Sequence, residues 1–178
     1  MPEIRIEPGQ YWEVQVEIVN AAKVGELHES FKGCGPSRFD DALQLARGCL
    51  VLARMSSSDE DDAYARMRLA EVFLRRGDID DALEQAGMAL VAYQSHDNFV
   101  GAAQCEQLRG EAFLDRGEAA QALESFADAR VIFDATGSDL EALRCETRLA
   151  ITLHYAGDYR AAARANSRLA DAYRQLED

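Results

Sequence analysis

RRGDIDDAL, Arg75 to Leu83, ends one apolar-periodic segment and starts another, and the chain returns to it twice: DRGEAAQAL begins at Asp115 and YAGDYRAAA at Tyr155. The glycines Gly77, Gly117 and Gly157 recur at one constant interval. Glycine adopts the left-handed conformation after a helix without a side-chain clash, and Asp78 behind Gly77 is a candidate cap for the next helix. Arg75 and Arg76 fall in the last turn before the break, where positive charge complements the carbonyl end of a helix dipole. The motif therefore reads as the hairpin of two antiparallel helices, repeated.

Alignment on the glycines extends the echo in both directions. Leu69, Arg109 and Leu149 share a register, as do Ala70, Gly110 and Ala150, then Phe73, Phe113 and Leu153. Past the break, Ala82, Ala122 and Ala162 coincide, small enough to let paired helices approach closely, and so do Ala89, Ala129 and Leu169. Start signals separate the units: Ser57 with Glu60 and Ser138 with Glu141 match the capping box, and the SHDN stretch from Ser95 to Asn98 is rich in capping residues. These signals predict eight helices, over 11–33, 39–55, 60–76, 79–95, 99–116, 119–135, 139–156 and 159–176. After an N-terminal tail of residues 1–10 they form one domain over 11–178, with units at about 11–58, 59–97, 98–137 and 138–178. The first unit is the least regular. Trp12, Val14, Val16 and Ile18 alternate as a strand would, but Trp12, Val16 and Val19 also share a helical face, and we read the segment Tyr11–Val19 as helix because the first unit otherwise lacks one.

Composition bounds the function. The 178-residue chain is 48% hydrophobic and 29% charged, with a net charge of −13. That balance fits a folded soluble protein, and it disfavours broad electrostatic binding to nucleic acid or to an anionic membrane surface. No apolar run reaches the length of a membrane span, and MPEIRIEPGQ lacks a basic, apolar leader, so the expected location is cytoplasmic. Lys23 and Lys32 are the only lysines beside many arginines and alanines, a pattern suggesting a bacterial gene. Cys34, Cys49, Cys105 and Cys145 form no CxxC pair and have no histidine at a metal-ligand spacing, so no metal is expected. Cys105 and Cys145, which share a register in the repeat, read as one buried slot filled twice. GCGPS at 33–37 lacks the lysine of a phosphate-binding loop and reads as a turn. His28, His96 and His154 are scattered, and the acidic SDEDD at 58–62 reads as a helix start, with a basic-partner contact as the alternative. No nucleophile is placed beside a base, so neither catalysis nor a cofactor is expected.

The paired helices, with a small residue beside an aromatic in the first and alanines marking the second, resemble the tetratricopeptide repeat, whose usual period is about 34 residues. The longer period of this chain, about 40 residues, and linkers such as TGSDLEA are similar to a longer-helix subgroup that includes the LGN-type adaptors, the maltose-regulator sensor domain and the Rap-type peptide receptors. The resemblance implies an all-α, right-handed helical-repeat solenoid whose first helices line a concave groove for a protein or peptide. In that register the groove residues are Tyr64, Met67, Arg68, Glu71, Gln104, Gln107, Leu108, Glu111, Arg144, Thr147, Arg148, Ile151 and His154. The chaperone-binding lysines and asparagines of some relatives are missing from these helices, as is the asparagine of the Leu-Gly-Asn triplet.

Arg144 and Arg148, one turn apart, could form with Arg68 a basic spot for an acidic motif, or pair with Glu141, Glu146 or Glu111. The expected function is a protein-interaction adaptor or scaffold, its partner basic or helical. A peptide- or metabolite-sensing regulator is the alternative. A third reading is self-assembly, as a homodimer through the C-terminal helix, because Ala162, Ala165, Leu169 and Tyr173 have no polar capping helix after them.

Overall fold

A computed structural model of the chain describes residues 43, 46–51, 53 and 58–177. From residue 59 onward six helices follow one another: α1 Asp59–Arg76, α2 Ile79–Ser95, α3 Phe99–Asp115, α4 Ala119–Ala135, α5 Asp139–Tyr155 and α6 Tyr159–Glu177. The described residues between 43 and 53 are helical too, in keeping with the helix expected over 39–55, and Leu43 and Ala46 pack on Leu69 and Val72 of α1. The helix expected over 11–33, the Tyr11–Val19 segment and the GCGPS turn lie outside the described residues. Among the described residues there is no strand, and no helix is long and apolar enough to cross a membrane. Each helix packs on the next, and α1 also touches α3, so the first helices of successive units lie side by side. This is the stacking of a helical-repeat solenoid of the tetratricopeptide kind.

The turns show a shorter period than the glycines suggested. Gly77, Gly117 and Gly157 have φ of 84°, 82° and 83°, and Gly137 and Asp97, between units, are also left-handed at 69° and 54°. At each break the residue after the left-handed one donates its N–H back to a carbonyl in the last turn of the helix, that of Phe73, Tyr93, Phe113, Phe133 and Leu153 in turn. This is the Schellman closure, which satisfies carbonyls at the helix end. The left-handed residue thus recurs at half the interval of the first three glycines, with a buried alanine at Ala82, Ala102, Ala122, Ala142 and Ala162. Every helix from α2 to α6, and not every second one, carries the same entry.

The caps depart from expectation in detail. Ser58 caps α1, accepting from the Asp61 N–H at 3.2 Å, while Ser57 lies outside the described residues. Glu60 instead accepts a bond from Asn98, which also caps α3 by accepting from the Gly101 N–H. Ser138 stands at the start of α5 without a side-chain capping bond, and Glu141 turns to Arg144. Asp78 likewise begins α2 without one and pairs with Arg76.

Between helices the core is made of small residues on the first helices and rings on the second. Tyr93 packs on Ala102 and Cys105, and Phe133 on Ala142 and Cys145. Cys105 and Cys145 are both fully buried, one slot filled twice. Burial raises each thiol to about 12, with Glu106 and Glu141 respectively adding to the shift, so neither is a thiolate at neutral pH.

On α6, Ala162, Ala165 and Leu169 are buried, the last two packing with Ala150 of α5. They are not an open face awaiting a second copy. The outward side of α6 carries Arg160, Arg164, Asn166 and Ser167, all exposed, a polar surface of the kind that caps a solenoid.

Candidate partner-binding groove

The first helices α1, α3 and α5 present one turn after another of the register chosen from sequence. Met67 is the exception: it is buried with Ala63, Leu90 and Cys105 and offers no surface to a partner. The register misplaces it because two adjacent helices flank α1, and a helix buried on two sides has a narrower free stripe than one lying on a flat core. Tyr64 and Leu108 are half-buried against the same core cluster.

The charged positions are engaged with neighbouring side chains. Arg68 lies over the Tyr64 ring, 4.9 Å from its centroid, and donates to Glu71 at 2.8 Å. Arg148 reaches from α5 to Glu111 on α3 at 3.1 Å, and Arg144 pairs with Glu141 at 2.8 Å. Glu146, the other expected partner, faces away and is held by Arg168 and Arg130. Each of the three arginines has a carboxylate partner within the fold, although the buried Arg68 Nε has no hydrogen-bond partner, and they do not gather into one free basic spot. Thr147 donates to the Leu143 carbonyl, Gln104 and Gln107 are half-buried, and Ile151 is partly exposed. His154 stands at the end of α5, its ring edge-on to those of Tyr155 and Tyr159.

Two recesses open along this surface. One, of about 280 Å³, lies between Glu71 and Leu74 of α1, Leu108, Glu111 and Leu114 of α3, and Arg148 of α5. The other, of about 380 Å³, lies between Gln107, Glu111, Arg144, Thr147 and Arg148, and is closed by Tyr173 of α6. Glu111 and Arg148 line both, so the two recesses adjoin at that ion pair. Burial pushes the Glu111 carboxyl above its ordinary range, and the nearby Asp115 and Glu71 add to this against the pull of Arg148. Its charge is therefore held less firmly than that of a surface glutamate.

Sequence reasoning missed Leu74, Leu114 and Tyr173. Leu74 and Leu114 stand one repeat apart, a turn beyond Glu71 and Glu111, so the same register extended toward the break reaches them. Tyr173 carried no such signal, because its equivalents Tyr93 and Phe133 are core residues, buried under the first helix of the next unit.

The described residues gather no group of three or more metal-ligating side chains. A family model for the soluble NSF attachment protein, SNAP, matches residues 48–176, from the helical residues before α1 through almost all of α6. No curated protein matches the chain.

Proposed function

The chain belongs to the soluble NSF attachment protein family, and from that premise we propose that it is an adaptor holding a protein or peptide partner in the two adjoining recesses along α1, α3 and α5. The family is named for attachment to another protein, which agrees with a binding rather than a catalytic role. The observation that carries the reading is that the Glu111–Arg148 pair lines both of two adjoining recesses. Leucines and charged groups together line one recess, and among the charged groups Glu71, Glu111 and Arg148 are each already oriented by a neighbour. Such a surface receives an amphipathic segment whose apolar side chains displace water from Leu74, Leu108 and Leu114 while its polar groups exchange with the paired charges.

Arg148→Glu places like charge against Glu111 at the meeting point of the recesses. Affinity capture from native extract with the parent and with this variant tests the proposal. A partner held by the parent and lost by a variant of unchanged melting temperature is the expected result. A partner retained in full by the variant overturns the assignment of the groove.

A further inference from the structure

The outer surfaces of the second helices α2, α4 and α6 can be compared position by position, since each stands one repeat from the next. Asp80, Glu84 and Met88 on α2 correspond to Ala120, Glu124 and Asp128 on α4, and to Arg160, Arg164 and Arg168 on α6. All nine are exposed. The row thus changes from acidic to basic at α6. Over residues 159–174 this helix carries four arginines against the single acid Asp171, in a chain whose net charge is −13.

The arginines of the row are largely uncommitted. Arg160 and Arg164 make no ion pair with any described residue. Arg168 gives Nε and one terminal nitrogen to Glu146, yet its side chain is still 70% exposed. Elsewhere on the described surface Arg66, Arg76, Arg109, Arg116, Arg144 and Arg148 each have a carboxylate partner, while the exposed Arg75 has none among the described residues. A guanidinium row at every fourth residue spans about 12 Å of helix, and the small exposed Ala163 and Ala170 beside it leave room for another backbone to approach.

We infer that the outward face of α6 docks an acidic helix of a partner protein, one bearing carboxylates at every fourth residue. This surface is distinct from the groove, and the inference does not rest on the groove being occupied. The charge step sets the class of partner. Glu124 and Asp128 of the α4 row, together with the net charge of −13, disfavour an anionic surface much broader than one helix, such as a membrane or a nucleic-acid duplex. An acidic helix, about 10 Å across, matches the arginine row in scale. Matching spacing lets each carboxylate take a guanidinium in a bidentate pair.

The test uses a labelled, alanine-based helical peptide with glutamate at every fourth residue, its glutamine counterpart, phosphatidylserine vesicles and a DNA duplex. Fluorescence anisotropy should show saturable binding of the glutamate peptide alone, weakened by added salt and about tenfold by the Arg160→Glu/Arg164→Glu double variant. Arg148→Glu should leave that binding unchanged, which separates this surface from the groove. The Arg160→Gln/Arg164→Gln variant should fall between the two, since it removes charge without reversing it. Equal affinity of parent and double variant overturns the inference, as does binding of vesicles or duplex that matches the peptide. Dimerisation of the parent in sedimentation, lost in the double variant, assigns the face to a second copy and overturns it likewise.

Discussion

The ring of Phe126 on α4 lies against the backbone of Gly110 on α3 so closely that a β-carbon there would stand 2.7 Å from Phe126 Cε1. Gly101 meets Tyr93 in the same way, at 2.7 Å. Both rings are buried, so neither has an open side to move into.

Gly110→Ala should therefore destabilise the protein by about 1–3 kcal/mol, even though alanine is the better helix former. Gly87→Ala is the control. No atom lies within 4 Å of a β-carbon at Gly87, so this change should stabilise by up to about 1 kcal/mol. Urea denaturation of the two variants checks the pair, and shifts of the same sign would remove the packing argument.

Asp97 holds the left-handed position that glycine holds at the other four breaks, with φ of 54°. Asp97→Gly should relieve about 1 kcal/mol of backbone strain, partly offset by the greater freedom of the unfolded chain. A thermal melt should rise by about 2–4 °C per kcal/mol retained. A fall in the midpoint would mean that the Asp97 side chain stabilises the turn.

Glu106 is raised above its ordinary value of 4.5 by burial first, with Asp128 adding to the shift and Arg109 and Ser125 opposing it. The folded state thus binds this proton more tightly than the unfolded state. Stability from this group is greatest below pH 4.5 and is lost as pH rises through the folded value. The stability of the parent relative to Glu106→Gln should decline as pH rises above 4.5 through the raised folded value. Denaturation of both proteins across that range measures it, and a relative gain with pH would reverse the assignment.

Cys105 and Cys145, fully buried with thiols pushed up to about 12, should resist alkylation at neutral pH until the protein unfolds. Cys49, only half-buried, should react first of these three. Mapping the modified sites by mass spectrometry over time gives the order. Early modification of Cys145 would indicate opening of the α4–α5 contact below the global unfolding transition.

Helix ends were legible in the sequence almost to the residue from α1 to α6, because the signals that set them are local. Gly77 ends a helix through its own φ, and Asn98 caps α3 through a bond to the nearby Gly101 N–H. The groove was legible in part for the same reason. Once the helices and their register are known, Glu71, Leu108, Glu111 and Arg148 follow from periodicity. Met67 did not follow, since its exposure depends on how α2 and α3 crowd α1.

The recurrence of the glycine motif by itself determined the helical pairs, their turns and the slot shared by Cys105 and Cys145, since these rest on backbone dihedrals and on the spacing of small residues. Only the tertiary structure decided that Gly110 admits no side chain, that Arg148 belongs to Glu111 while Glu146 belongs to Arg130 and Arg168, and that Tyr173 closes the groove. Each of these joins residues on different helices. Several candidate partners lie within a side chain's reach of such a residue in the sequence, and the packing angle between helices selects one.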